Sequence, residues 1–151
     1  MRETAPRPPR RMFLASVLSA LVAGGAAALV SFGMITTPET DSFGFSRSTN
    51  LSIGEEARLR SFLIPAVQDE RVAVIAVGHT GTRGDPAANR ELSENRAAVV
   101  ERLARALGID ETRIRIAGVG GSSPLPRPEG QSDRSYEGSL ARVEVTLQVR
   151  R

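Results

Sequence analysis

The sequence predicts an α/β fold of the α+β two-layer sandwich type, in the order β-α-β-α-β-β with a mixed sheet, preceded by one transmembrane helix. Four patterns carry this prediction. Val72–Val77 is a continuously apolar run typical of a buried strand, and residues 143–149 alternate apolar with polar side chains. Residues 86–107 repeat apolar side chains at helical spacing, and residues 12–35 contain no charge.

The first 11 residues carry the net charge of the whole chain. They hold four arginines and one glutamate, whereas the other 140 residues hold 16 arginines and 16 acidic residues. A nucleic-acid-binding domain would need its own basic patch, so this balance predicts no nucleic-acid partner. A basic tail in front of an apolar run instead indicates that the tail, residues 1–11, is cytoplasmic.

The apolar run at residues 12–35 is long enough to cross a membrane. Its 24 residues would form roughly 36 Å of helix, against a hydrocarbon core of about 30 Å. We expect an uncleaved anchor here, with the rest of the chain outside the membrane. The alternative is a cleaved signal peptide, with a break at Gly24–Gly25 and a small-residue cleavage site at Ala26–Ala28.

The soluble part is predicted to begin at residue 43, after a polar linker at residues 36–42. A first strand is expected around Phe43, Phe45 and Leu51. A helix should follow, with Ser52 and Glu55 as a capping box at its start. Its predicted apolar positions are Ile53, Ala57, Leu59, Leu63 and Val67.

The second half of the domain should start with Val72–Val77 as a central strand that is covered on both faces. Asp85 and Pro86 are typical of a helix start, and Gly108 of a helix end. The predicted inner face of this helix is Leu92, Val99, Leu103, Ala106 and Leu107. A strand at Arg113–Val119, a long loop at Gly120–Gly138 and a closing strand with Val143, Val145, Leu147 and Val149 complete the prediction.

Composition excludes several kinds of chemistry. The chain has no cysteine and no lysine, so it has no thiolate metal site, no disulfide and no Walker A phosphate loop. His79 is the single histidine, and no nucleophile stands at a spacing that would pair with it. We therefore expect a protein that is not an enzyme and has no cofactor or metal, in which His79 is a structural donor.

Several spaced motifs together resemble one family. The segment GHTGTRG at residues 78–84 is followed by Asn89, then by Leu92-Ser93 and Arg96-Ala97. Glycines at residues 118, 120 and 121 and the ARVEV segment at residues 141–145 follow in the same order. This series resembles the peptidoglycan-binding signature of OmpA-like domains, and the match covers about residues 43–150.

The resemblance implies a site for the diaminopimelate residue of the peptidoglycan stem. That residue is a zwitterion, and the family holds it with an aspartate and an arginine. Arg96 matches the arginine, while Gly81 stands where the aspartate is expected. Asp85 either replaces that aspartate or only caps the following helix. Further site residues implied by the resemblance are Thr80, Asn89 and Arg142.

Two functions follow as hypotheses. The first is a bacterial inner-membrane protein with one span and a periplasmic domain, which binds peptidoglycan and tethers membrane to cell wall. The second is an OmpA-like interaction module for envelope proteins that has lost wall binding through Gly81. Ala20, Gly24 and Ala28 would also permit a homodimer through the span. After signal cleavage, the protein would instead lie in the periplasm or at the outer membrane.

Overall fold

A mixed sheet of five strands in the order β2-β1-β5-β3-β4 forms the centre of the domain. The computed structural model describes residues 37–150, so the predicted tail and span lie outside the described residues. The strands are β1 (Glu39–Arg47), β2 (Asn50–Leu51), β3 (Val72–Gly78), β4 (Ile114–Gly118) and β5 (Arg142–Val149). The helices are α1 (Glu55–Phe62), α2 (Ile64–Gln68), α3 (Pro86–Ala106) and α4 (Asp133–Ser139), with a 3₁₀ turn at Glu111–Arg113.

The buried side chains lie on one face of the sheet, as a two-layer fold requires. Val74 faces Leu147 and Phe43 faces Val143 across antiparallel pairs, so each pair shares a face. These residues join one core with side chains of the helices, including Leu59 and Val100. The predicted two-layer sandwich with a mixed sheet is therefore confirmed.

Strand β1 begins earlier than the sequence indicated. Residues 39–42, which were assigned to the linker, pair with β5 from Glu39–Leu147 to Ser42–Glu144. Leu51 is not part of this strand, because a turn at Ser48 intervenes and Leu51 pairs back with Phe45. Residues 39–42 are all polar, so no apolar pattern in the sequence indicates a strand there.

The predicted capping box at the start of α1 is wrong. The residue before the helix is Gly54, in the left-handed conformation at φ 83°, and Ser52 makes no side-chain cap. Glu55 instead accepts hydrogen bonds from the Gly44 N–H at 3.1 Å and from Arg58 at 2.8 Å. The carboxylate therefore ties the helix to β1 rather than to its own first turn.

The predicted single helix over residues 53–67 is two helices. Pro65 lacks an N–H, and its ring would clash with the carbonyl four residues back, which favours a break near Leu63. Leu59 and Leu63 are buried as predicted, whereas Ile53, which precedes the first helix, and Ala57 and Val67 are exposed.

Strand β3 has one buried and one half-buried face, so the prediction of burial on both faces is wrong. Val72, Val74 and Ala76 are buried, and the residues between them are only partly covered. The strand lies between β5, which is antiparallel, and β4, which is parallel. It is the strand that leads directly into the GHTGTRG segment.

Helix α3 starts and ends as predicted. The Asp85 carboxylate accepts a hydrogen bond from the Ala88 N–H at 2.8 Å, and Gly108 has φ 89° just beyond the end. The inner face differs in part from the prediction: Leu103 is buried as predicted, whereas Leu92, Val99 and Leu107 are only half-buried and Ala106 is exposed. The buried residues are Ser93, Arg96, Ala97, Val100, Leu103 and Ala104.

A close approach of α3 to the sheet explains this shift. A Cβ on Gly78 would lie 1.9 Å from the Ser93 carbonyl oxygen, so the helix backbone almost touches the strand. Such an approach requires small residues in the middle of the interface, and Ser93 and Ala97 provide them. The large apolar side chains therefore lie at the borders of the contact.

The C-terminal part contains a helix that the sequence analysis missed. Residues 120–138 were predicted as loop, but α4 occupies Asp133–Ser139 with Ser132 as its cap. Its side chains are mostly polar, so no apolar period marks it.

Strand β4 is two residues shorter than predicted, because Arg113 belongs to the 3₁₀ turn and Val119 follows the strand. Strand β5 matches the predicted closing strand. Within residues 37–150, no helix is long and apolar enough to span a membrane.

Candidate functional site

The candidate site lies beyond the carboxyl ends of the parallel strands β3 and β4. Gly78 and Gly118 are partners in the register of these strands, and both lie under the backbone of α3 at Ser93 and Glu94. The segments that leave the two strands, residues 79–85 and 119–123, are therefore held against the first half of the helix. We call these two segments the first loop and the second loop.

Ser93 links the helix to the second loop. Its side chain is fully buried, accepts a hydrogen bond from the Gly120 N–H at 2.9 Å and donates one to the Arg90 carbonyl at 2.7 Å. The second loop in turn braces the first, because the Thr80 N–H donates to the Gly120 carbonyl at 3.0 Å. The sequence shows Ser93 as part of the family motif but does not indicate its role. A small polar residue on the inner face of a helix is the pattern that could have indicated a buried hydrogen bond.

Arg96 is the buried cation of the site. Its side chain is on the inner face of α3, and the residue is 5% exposed. Nε donates to the Ser48 carbonyl and Nη1 to the His79 carbonyl, both at 2.8 Å, and the guanidinium lies 5.4 Å from the centre of the Phe45 ring. Burial lowers the pKa of Arg96 from its ordinary value, but a guanidinium stays protonated in proteins.

No carboxylate within residues 37–150 neutralises Arg96 at ion-pair distance. Its contacts are to backbone carbonyls and to the face of Phe45, which position the guanidinium and leave its charge uncompensated. A buried charge without an ionic partner is unfavourable unless an anion binds there. The arrangement is thus suited to a carboxylate ligand.

Thr80 and Asn89 brace the first loop. Thr80 is buried, and its hydroxyl donates to the Gly81 carbonyl at 3.1 Å. Asn89 reaches from α3 to the Arg83 carbonyl at 2.9 Å. Thr80, Asn89 and Arg96 therefore all donate to backbone carbonyls of the first loop.

Arg142 differs from Arg96 because its charge is already paired. Its guanidinium lies 2.7 Å from the Glu144 carboxylate, and it also donates to the Ser123 carbonyl at 3.3 Å. This buried residue therefore joins β5 to the second loop. Of the predicted site arginines, only Arg96 keeps an uncompensated charge among the described residues.

His79 contributes its backbone to the site. Its N–H donates to the Arg142 carbonyl at 2.8 Å, and its carbonyl accepts from Arg96. Burial lowers the pKa of the imidazole, the nearby Arg142 charge lowers it further, and Glu144 partly opposes both. The ring nitrogens have no hydrogen-bond partner among residues 37–150, and Nε2 lies 3.6 Å from the Glu144 carboxylate, so the hydrogen bonds of His79 come from its main chain.

Asp85 caps α3 from an exposed position. Its carboxylate accepts from the Ala88 N–H, as a helix cap requires, so the capping interpretation is confirmed. The structure shows no contact between this side chain and Arg96 or Gly81. Asp85 therefore lies at the border of the group formed by the other site residues.

Glu137 occupies the position that Gly81 leaves empty. A Cβ built on Gly81 would lie 2.2 Å from Glu137 Oε2, so this oxygen takes the space where a side chain at residue 81 would begin. Glu137 accepts from the Thr82 N–H at 2.9 Å and from the Thr82 hydroxyl at 2.7 Å. A carboxylate from another part of the chain thus lies beside Gly81.

Sequence reasoning missed Glu137 for a physical reason. It lies on α4, a short polar helix 55 residues away from Thr82 along the chain, in a segment predicted to be loop. No local pattern connects the two positions, because the contact depends on how α4 packs against the first loop.

The model of the OmpA family matches residues 46–137 of the chain. A stretch of 111 residues is 32% identical to outer membrane protein A of Bordetella avium and covers 71% of this chain and 52% of that protein. A stretch of 120 residues is 29% identical to photosystem I P700 chlorophyll a apoprotein A2 of Gloeobacter violaceus and covers 77% of this chain but 14% of that protein. The chain thus spans about half of the first relative and a small part of the second.

Solved structures share the fold. The peptidoglycan-associated lipoprotein from Burkholderia pseudomallei superposes with a TM-score of 0.59 at 20% identity, covering 72% of this chain and 89% of that one. The C-terminal domain of Helicobacter pylori MotB gives a TM-score of 0.58 at 19% identity, covering 73% and 85%. At these identities the similarity establishes the architecture of residues 37–150 and not a ligand.

Proposed function

Because the chain belongs to the OmpA family, we propose that its domain binds the diaminopimelate-containing peptide stem of peptidoglycan without a covalent bond and so tethers a membrane to the cell wall. The single observation that carries this proposal is Arg96, a buried guanidinium with no carboxylate partner among the described residues.

The chemistry of the ligand fits this cation. The free carboxylate of diaminopimelate would accept hydrogen bonds from the guanidinium, and such charge-assisted bonds are stronger than neutral ones. Ser48, His79 and Phe45 already fix the side chain of Arg96, so little conformational entropy would be lost when the ligand binds.

The tether is the apolar run at residues 12–35. We propose that it anchors the chain in the bacterial inner membrane and that the domain lies in the periplasm, consistent with the basic tail at residues 1–11. Strand β1 begins at Glu39, so only residues 36–38 remain as a linker. Three residues extend to about 11 Å at most, which makes this a short tether.

The test is sedimentation of the full-length chain, in mild detergent, with purified cell-wall sacculi. We expect the wild-type chain to sediment and Arg96→Ala to lose about ten- to a hundredfold in affinity, the value of a charge-assisted hydrogen bond. Arg102→Ala is the matched control, since Arg102 is exposed on the same helix. Equal sedimentation of Arg96→Ala and wild type would exclude the proposed role of Arg96.

Arg96 also holds two backbone carbonyls, so its removal could disturb the fold. Arg96→Lys keeps the charge but loses the fixed fork of the guanidinium. Thermal unfolding followed by circular dichroism identifies the variants that remain folded. A folded Arg96→Lys chain with intermediate affinity would support direct contact with the ligand.

The second candidate is an interaction module for envelope proteins that does not bind the wall. The replacement of the family aspartate by Gly81 favours it, and so does the Arg142–Glu144 ion pair, which neutralises a second cation of the site. The short tether points the same way, because a domain near the inner membrane needs help to reach the wall. A folded wild-type chain that does not sediment with sacculi would favour this candidate.

A further inference from the structure

We infer that Glu137 supplies the anionic half of this site and binds the ammonium group of the stem's diaminopimelate, in place of a side chain at Gly81. This inference rests on the proposed function and adds the residue that would distinguish a zwitterion from a simple anion.

The first argument is position. Of the atoms nearest to a Cβ on Gly81, all three belong to Glu137: Oε2 at 2.2 Å, Cδ at 3.5 Å and the carbonyl oxygen at 3.6 Å. A carboxylate that starts from helix α4 therefore ends where one that starts from residue 81 would begin. The glycine is what leaves room for it.

The second argument is the state of the carboxylate. The hydroxyl and N–H of Thr82 both donate to it, and Arg83 Nε lies 3.9 Å away, which together lower the pKa of Glu137 below its ordinary value. The group is thus an anion at neutral pH. Its side chain is 20% exposed, and each oxygen can accept a further hydrogen bond, so a ligand can reach it.

The third argument is the relation to Arg96. Arg96 contacts the His79 carbonyl, while Glu137 contacts the Thr82 N–H, so the cation and the anion hold opposite ends of one short segment. Three peptide units separate these residues, and their Cα atoms are therefore at most about 11 Å apart. The two groups do not form an ion pair with each other. Each pole of an amino-acid zwitterion thus has its own partner.

Glu137 also has a structural role available to it, because its bonds to Thr82 fasten α4 to the first loop. The two roles differ in which ligands lose affinity when Glu137 is replaced. A brace affects every ligand of the site equally, whereas an ammonium acceptor affects only ligands that carry the ammonium.

The experiment is calorimetric titration of the full-length chain in mild detergent with three synthetic stem peptides. The first ends in diaminopimelate, the second in 2-aminopimelate, which lacks the distal amine, and the third in lysine, which lacks the distal carboxylate. We expect Glu137→Gln to lower the affinity for the diaminopimelate peptide about ten- to a hundredfold. The affinity for the 2-aminopimelate peptide should stay unchanged. Asp133→Asn removes the same charge from the same helix and should change neither affinity.

Three results would overturn the inference while leaving the proposed function intact. They are equal weakening of both peptides by Glu137→Gln, no weakening of either, and a wild-type chain that does not prefer diaminopimelate over 2-aminopimelate. A wild-type chain that binds neither sacculi nor any of the peptides would contradict the proposed function and this inference together.

A second variant covers the case in which Glu137→Gln fails to fold. The double variant Gly81→Asp with Glu137→Ala moves the carboxylate back to residue 81 and removes the group it would clash with. Preference of this chain for diaminopimelate over 2-aminopimelate supports the inference, and its absence in a folded double variant overturns it.

Discussion

Glu137 Oε2 lies 2.2 Å from the position that a Cβ on Gly81 would take, which is too close for both atoms to be present. Two residues from distant parts of the chain thus share one volume, and only one of them can fill it. The glycine and the glutamate therefore have to be interpreted as a pair, and substitutions at either position depend on the other.

The first prediction concerns Gly81→Asp alone. The new side chain would displace Glu137 from Thr82 and place two carboxylates beside each other, so we expect lower stability, by about 1–2 kcal/mol, and no gain in wall binding. Adding Glu137→Ala removes the clash and should restore the stability. Thermal unfolding and sedimentation with sacculi measure the two effects. A single Gly81→Asp variant that binds more tightly than wild type would contradict the shared volume.

The second prediction concerns the approach of α3 to the sheet. Gly78→Ala would place a Cβ 1.9 Å from the Ser93 carbonyl oxygen, which belongs to a backbone that cannot move without the whole helix. We expect a loss of about 3 kcal/mol or failure to fold, at the upper end of the usual range for overpacking. Urea unfolding of the purified chain provides the measurement.

Gly138→Ala is the control for that substitution. A Cβ at Gly138 meets no atom within 4 Å, and the residue lies inside α4. Alanine is a better helix former than glycine, so this variant should be unchanged or more stable by up to about 1 kcal/mol. Similar losses in both variants would show that the helix is not as close to the strand as the structure places it.

The third prediction concerns pH. The pKa of Glu137 lies below its ordinary value of 4.5, mainly because the Thr82 hydroxyl donates to the carboxylate. A lowered pKa means that the ionised group stabilises the folded state above pH 4.5, and that this contribution is lost as the pH falls through the folded-state value. Urea midpoints measured from neutral pH downward should therefore fall less steeply for Glu137→Gln than for wild type. Parallel curves would show that the ionisation of Glu137 does not contribute to stability.

Several parts of the fold could be predicted because their causes are local. The start of α3 depends on the Asp85 carboxylate and Pro86, and its end on the positive φ of Gly108. The alternation in β5 reflects one buried and one open face of the same strand. In each case the decisive interactions involve residues within a few positions of one another.

Other parts depended on packing, and sequence patterns were misleading there. Ser52 and Glu55 have the spacing of a capping box, but Glu55 bonds to Gly44 on β1 instead. The inner face of α3 is occupied by Ser93 and Ala97 because Gly78 lets the helix approach the sheet. Of the large apolar side chains predicted for this face, Leu103 is buried, whereas Leu92, Val99 and Leu107 are only half-buried.

The sequence by itself determined the fold class, the family signature and the position of Arg96 within that signature. The tertiary structure decided whether an anion accompanies it, because the carboxylate beside Gly81 arrives from α4 and not from the signature. Local propensity and capping act over a few residues, whereas the meeting of Glu137 with Thr82 spans 55 positions and exists only when the helix is packed.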